Sequence, residues 1–313
     1  MTEFVVAVCT AQRPEMLRRC LESLVHLTAP SDARIRIVVI ENALTPDSAE
    51  IVSAIQQQTP IEIHYRLEQR LGIPFARNAA LDLANALGAD WIALIDDDEY
   101  AEPDWLIKLY EACVTFEADV ANGPVEQICV GEPPDWWTPR VRPCRPTGKI
   151  LRGAPTNNIL MRAHLVRKDG LALRFDERLL GGSEDVEFFR RATRNGAKII
   201  WVAEARLREE LPASRLSVKK RISRTYMVAT SQAQVLRIQQ GAVRGFLTLL
   251  PKISRGLVLG SLVLLCGAIV WIILPTAGKA LFYGGALRIV KAAGQILGGF
   301  GFYSAYYRSI DGR

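Results

Sequence analysis

The run LVLGSLVLLCGAIVWIIL, Leu257 to Leu274, sets eighteen consecutive residues in a row without a charge. As an α-helix rising about 1.5 Å per residue it would measure roughly 27 Å, close to the ~30 Å hydrocarbon core of a bilayer. A run of this kind must be covered by protein or by lipid, and its surroundings point to lipid. From Ala205 to Arg255 eleven Lys and Arg stand against Glu209 and Glu210, a local balance of +9 in a chain whose net charge is +6, so the rest sums to −3. Positive charge is concentrated beside the apolar run, the pattern of a juxtamembrane segment facing anionic headgroups on the cytosolic side. This distribution argues against a basic nucleic-acid-binding body. Only Tyr226 and Phe246 interleave aromatic rings with these cations, so no nucleic-acid partner is expected.

After a short break at Pro275 to Lys279, the stretch Ala280 to Tyr307 is apolar again apart from Arg288 and Lys291, which share one helical face. Two cations are costly at the centre of a bilayer, so an interfacial second arm competes with a full crossing. The expectation is a helical hairpin that returns the C-terminus to the cytosol. At the other end, Phe4 to Cys9 is too short for a signal peptide and carries no basic flank. Six cysteines without a C-x-x-C pair, and three histidines, suggest neither a zinc site nor a disulfide framework. The expected location is the inner (cytoplasmic) membrane, with the body of the protein in the cytosol.

That body shows a second pattern. Short β-rich runs, Phe4 to Cys9, Arg36 to Glu41, Ile61 to Arg66, Trp91 to Ile95 and Asp119 to Gly123, alternate with segments of helical spacing such as Met16–Val25 and Ala79–Leu87. Alternation of this kind predicts an α/β domain with a doubly wound, mostly parallel sheet, whose ligands gather at the carboxyl ends of the strands. A proline-rich stretch with Trp136 and Trp137 interrupts the rhythm. Order returns with Asn157–Arg162, with a helix opening after Gly181-Gly182 for which Ser183 is the expected N-cap, and with Lys198–Val202. The division expected is 1–215 for the α/β domain, 216–255 for a basic juxtamembrane segment and 256–313 for the membrane-associated hairpin.

The sharpest chemical feature is the apolar strand Trp91–Ile95 running into Asp96-Asp97-Asp98-Glu99. Adjacent carboxylates repel each other unless a cation or hydrogen-bond donors compensate. Strand alternation sets Asp96 and Asp98 on one side, a D-x-D arrangement suited to a hard divalent ion that shares its shell with substrate phosphates. A strand ending in Asp-Asp also suits a nucleoside triphosphatase, but no G-x-x-x-x-G-K-[ST] is present. Nor does a G-x-G-x-x-G follow the first strand, which removes the dinucleotide-binding oxidoreductases.

Taken in order, VCTAQRPEMLRRCLESL, VVIENA, LGIPFARNAAL, IALIDDDEYAEPDWL, NNILMR and GGSEDVEFFRR resemble the family 2 glycosyltransferases, inverting enzymes of GT-A fold. The likeness runs from about Phe4 to Leu216, and its DDDE and GGSED blocks look most like the succinoglycan-type enzymes that extend lipid-linked exopolysaccharide units. The resemblance implies a nucleotide-binding loop at Thr10, Arg13 and Pro14, with Glu41 where the family usually has an Asp facing uracil. It implies that Arg77 approaches the nucleotide or its phosphates. Asp96, with Asp97 beside it, would lie near the ribose, Asp98 would hold a divalent cation (Mg²⁺ or Mn²⁺), and Asn157 and Asn158 would lie near the donor sugar. Asp185 corresponds to the general base, with Glu184 its nearest competitor. Independently of the family, Trp136 and Trp137 are candidates to stack on an acceptor sugar, or to pin their loop. The usual later metal-binding His is not visible, since Arg208-Glu209-Glu210 stands in that region.

The expected activity is transfer of a hexose, glucose as first candidate, from a UDP-sugar to a lipid-linked saccharide acceptor, with inversion and a divalent cation. Two other classes stay open: a nucleotidyltransferase that forms a nucleotide sugar, and a non-catalytic membrane-bound nucleotide-sugar-binding protein.

Overall fold

A computed structural model describes residues 1–133, 145–212 and 216–302. Trp136 and Trp137 lie outside the described residues.

The chain opens with β1 (Thr2–Thr10), α1 (Pro14–Leu24), β2 (Ala33–Glu41), α2 (Ala49–Gln56), β3 (Glu62–Leu67), α3 (Ile73–Ala86) and β4 (Trp91–Asp96). It continues through β5 (Glu99–Ala101), α4 (Trp105–Thr115), β6 (Val120–Asn122), β7 (Val125–Val130), β8 (Ile150–Leu151) and β9 (Ile159–Arg162). The remainder is α5 (Glu184–Arg194), β10 (Ile199–Trp201), β11 (Leu207–Pro212), α6 (Val218–Gln240), α7 (Ala242–Ile273) and α8 (Pro275–Gly299).

The main sheet has the order β3-β2-β1-β4-β9-β6-β10-β8. Its first four strands are parallel; β9 runs antiparallel between β4 and β6, and β8 antiparallel at the far edge. Because helices cover both faces, β1 has no solvent side. Phe4, Val5, Val6, Ala7 and Val8 are all buried, Val6 and Val8 in one apolar cluster and Val5 and Ala7 in the other. The small side chains Ala76, Ala79, Ala80 and Ala84 form the buried face of α3.

A second sheet, β5-β11-β7, carries strands that the sequence pattern did not reveal. β11 reads LREELP and is held by charge as well as by its ladder: Arg208 pairs with Glu102 and Glu210 with Arg19. This corrects the extent of the basic segment. Arg206 and Arg208 are partnered by Glu126 of β7 and by Glu102 just beyond β5, and do not belong to a free juxtamembrane surface.

The C-terminal helices form one unit. α7 runs unbroken through position 255, so the expected boundary at 255/256 falls inside a helix. The break expected at Pro275–Lys279 is shorter and earlier: the chain turns at Leu274, and α8 starts at Pro275, whose missing N–H is tolerated at the first helical position. α7 and α8 pack antiparallel through glycines. A Cβ at Gly267, Gly278 or Gly285 would run into the backbone of Phe282, Trp271 and Leu264 respectively. α6 is anchored to the α/β domain as well, since Ser231 Oγ donates to the Gly181 carbonyl at 2.5 Å and Gln234 Nε2 to that of Arg178 at 3.0 Å.

Candidate active site

The topology reverses between β1 and β4, the place where open α/β sheets bind ligands. Their registers set Cys9 beside Asp96 and Thr10 beside Glu41, so the carboxyl ends of β1, β2 and β4 meet. Residues predicted far apart in sequence are brought together here: Thr10, Arg13, Arg77, Asp96, Asp97, Asp98 and Glu184.

Each member of the acid run has a different environment, which alternation alone does not describe. Asp96 ends the strand with its side chain 46% exposed. Asp97 turns inward: its side chain is 6% exposed, accepts from Thr10 Oγ1 at 2.7 Å and from Arg13 Nη1 at 3.1 Å. Asp98 sits in the turn beyond β4, with Arg13 Nη1 at 3.5 Å. One guanidinium therefore bridges Asp97 and Asp98, while Arg77 lies 3.7 Å from Asp96. Burial pushes Asp97 up to about 6 against the pull of Arg13, with Asp98 adding repulsion. Asp96 is pushed upward too, by desolvation first, and by the charges of Asp98, Asp97 and Glu209 against the pull of Arg77. Glu209 enters from β11, in register with Glu99, and is a member of this acidic neighbourhood that sequence reading left undefined.

Arg77 is 9% exposed and ion-paired with Glu184. Its neighbour Asn78 clasps the backbone of Phe175, donating to the carbonyl at 3.0 Å and accepting from the N–H at 2.9 Å. The ARN block thus ties α3 to the segment that leads into α5. Burial pushes Glu184 up to about 7, against the pull of Arg77, and the charge of Asp185 adds to the rise. Its second oxygen, Oε2, is buried without a hydrogen-bond partner among the described residues. Leaving such an atom unpaired costs about 1–3 kcal/mol. Asp185 is partly exposed, and its Oδ1 accepts from the Val186 N–H at 2.6 Å.

Ser183 corrects an expectation. It precedes α5 but makes no capping hydrogen bond, and its φ of +66° follows +103° at Gly182. Two successive residues with positive φ reverse the chain sharply enough to set Glu184 on Arg77, at a backbone cost usually found near functional sites.

Two other candidates have different occupations. Glu41 is fully buried; it accepts from the Asp47 and Ser48 N–H groups, from Ser48 Oγ and from Tyr65 Oη at 2.5 Å, so it anchors the loop before α2 and presents no open face to a base. Asn158 is fully buried in the left-handed region, with φ +58°, accepts from Trp105 Nε1 at 2.8 Å and donates to the Pro124 and Ala205 carbonyls. It pins α4 to the sheet, and no donor sugar can reach it there. Asn157 is the one that faces the acids, donating to Glu99 Oε1 at 2.9 Å. Pro14 is the first residue of α1.

The family model Glycosyl transferase family 2 matches residues 5–173. The succinoglycan biosynthesis protein ExoM of Rhizobium meliloti (strain 1021) is 31% identical over 239 residues, which cover 74% of each chain. Among solved structures, the mannosyltransferase PcManGT from Pyrobaculum calidifontis, in complex with GDP-Man and Mn²⁺, superposes with a TM-score of 0.60 at 15% identity, covering 94% of this chain and 86% of that one. S. aureus TarS 1-349 in complex with UDP does so with a TM-score of 0.51 at 17% identity, covering 100% and 95%. The two structures share the fold. The chain belongs to glycosyltransferase family 2: it is a glycosyltransferase of GT-A fold, similar to a protein of exopolysaccharide synthesis.

Proposed function

We propose that this glycosyltransferase moves a hexose, glucose as first candidate, from a UDP-sugar to a lipid-linked saccharide, inverting the anomeric centre. The observation that carries the reading is the convergence of Asp96 and Asp98 with Arg13 and Arg77 at the switch point, where Arg77 also pairs with Glu184 at the start of the helix that carries Asp185. A binding protein gains nothing from crowding three carboxylates there, and a nucleotidyltransferase lacks a glycine- and lysine-rich loop between Thr10 and Pro14.

In this reading Arg13 and Arg77 meet the diphosphate, and Asp185 takes the proton of the acceptor hydroxyl. The acceptor oxygen then bonds to the anomeric carbon from the face opposite the nucleotide; the bond from that carbon to the β-phosphate oxygen breaks, and UDP leaves. Among the described residues no three His, Cys, Asp or Glu side chains converge as a metal cage. The donor set still fits a divalent cation of the Mg²⁺ or Mn²⁺ type, because Asp98 and Asp96 supply hard oxygens and such ions complete their shell from substrate phosphates. Bound there, the ion would neutralise charge on the departing diphosphate.

The lipid-linked acceptor and an inner-membrane location with the catalytic domain on the cytosolic side rest on the C-terminal helices. Among the described residues α7 alone is long and apolar enough to cross a membrane, and only 11% of its most apolar stretch is buried, so it is not a core helix. Trp136 and Trp137 remain candidates for the acceptor side. The test is incubation of membranes carrying the protein with a panel of labelled nucleotide sugars, with and without Mn²⁺ or Mg²⁺, following label into the lipid fraction. Label from a UDP-hexose only with metal supports the reading; label from no donor in any condition overturns it.

A further inference from the structure

The outer surface of the α7–α8 hairpin is what the catalytic reading leaves unexplained. Val258, Leu262, Leu265, Ile269, Ile272 and Leu281 are all exposed on it. The levels of the charges around it are fixed by packing. On α8, Arg288 stands about 20 Å along the axis from the turn at Pro275, and Lys291 about 24 Å, at 1.5 Å per residue. α6 runs parallel to α8: Tyr226 and Ala229 face Gly294, Thr230 and Ala233 face Gly298, and Val218 and Ile222 lie against Tyr283 and Leu287. Arg224 of α6 therefore comes to the height of Arg288 and Lys291, with Lys219 about one turn nearer the tip, and all four are exposed. Below this belt Lys279 is the one charged residue of the hairpin among the described residues, and its Nζ lies 5.9 Å from the centre of the Trp271 ring.

We propose that the hairpin is a one-leaflet anchor: it enters an anionic leaflet up to the belt of Lys219, Arg224, Arg288 and Lys291, and turns back at Leu274–Pro275 within the hydrocarbon without reaching the opposite face. The proposal rests on the membrane reading above and sets the depth of the hairpin. The apolar part below the belt is about 15 Å deep to Lys219 and about 20 Å to Arg288, against about 30 Å for the whole core. Crossing would draw the amino end of α6, with Lys219 and Arg224, into hydrocarbon, where charged side chains are expensive. The charge pattern matches anionic headgroups at the level of the belt. The turn is tight: Leu274 N–H donates to the Val270 carbonyl at 2.7 Å as the last bond of α7, Gly278 N–H to the Leu274 carbonyl at 2.8 Å as the first of α8, and Pro275 has no N–H to satisfy. Lys279, near the tip, lies over the Trp271 ring, and this cation–π contact offsets part of the cost of its depth.

The test uses full-length Cys266→Ser, Thr276→Cys protein carrying a fluorophore at the tip, diluted from detergent onto preformed phosphatidylglycerol/phosphatidylethanolamine vesicles, with the Cys266→Ser protein as labelling control. Flotation comes first: failure to float overturns the membrane reading itself. In floating protein, a nitroxide at mid-acyl chain should quench the tip more than one at the headgroup. In the same variant without fluorophore, a thiol reagent trapped in the lumen should not reach the introduced tip thiol. Lumenal labelling would show a full crossing, and strongest quenching from the headgroup a surface-lying hairpin; either overturns the proposal. Arg288→Gln and Lys291→Gln should each weaken binding to these vesicles about five-fold at low salt and leave binding to neutral phosphatidylcholine unchanged. Equal loss on both lipids would contradict the belt.

Discussion

Asp97 and Asp98 are adjacent and chemically unlike, and that difference decides what substitution does. Asp97 is sealed under Thr10 and Arg13, whereas Asp98 keeps one oxygen beside Arg13 at the mouth of the site. Asp98→Asn should therefore abolish transfer at low metal concentration while the melting temperature stays within a few degrees of the parent; full activity of the purified variant at low metal would remove Asp98 from the cation site. Asp185→Asn should lower turnover roughly 10²-fold or more and leave UDP-sugar binding nearly unchanged, as measured by calorimetry. Glu184 yields a pH prediction. Its pKa in the folded protein, about 7, lies above its ordinary 4.5, so between these values the native state holds the proton more tightly and stability falls as pH rises. Glu184→Gln removes that slope, so its melting temperature should gain on the parent from pH 4.5 to 7 and run parallel above; a difference independent of pH would mean that Glu184 is ionised throughout.

At the scale of elements, α6 reaches back into the catalytic domain and holds the turn that launches α5. Ser231 is 1% exposed and bonded to the Gly181 carbonyl, directly before the two residues with positive φ. Ser231→Ala leaves that carbonyl unpaired, which should cost about 1–3 kcal/mol in unfolding experiments. Because it loosens Asp185 without touching the donor, kcat should fall while the KM for the nucleotide sugar stays put; a change confined to KM would place the turn in donor binding instead. The elements that were legible in the sequence are those whose burial is continuous. β1, β2 and β4 are apolar runs because both their faces are covered, and α5 ends where Asn195-Gly196 says it should. β7 and β11 were not legible, since VEQICV is largely exposed and LREELP is held by charge partners from distant segments. The same reason hid the destinations of Glu41 and Asn158. A buried polar side chain reveals its type in the sequence, but its partners, here Tyr65 and Trp105, are supplied by the fold. The small-residue spacing of Gly267, Gly278 and Gly285 was available to reading and sets the closeness of α7 and α8.

For the molecule as a whole, α6 links the catalytic domain to the α7–α8 hairpin, and the proposed membrane attachment has two parts. The two attachments differ in kind, one from apolar burial and one from exposed cations, and salt screens only the second. Full-length protein should stay in the membrane pellet through high salt and carbonate and leave with detergent; a chain ending at Arg255 should be released by salt, keep donor hydrolysis and lose transfer to a lipid-linked acceptor. Release of the full-length protein by salt alone would make the hairpin a protein-covered element. What this architecture serves is one reaction, and its stereochemistry tests the central claim most directly. Purified protein, supplied with the UDP-hexose that labels the lipid fraction best and with its acceptor, should yield a new linkage whose anomeric proton, followed by NMR during the first turnover, has the configuration opposite to that of the donor. A product with the donor's own configuration would contradict direct attack assisted by Asp185 and the assignment built on it.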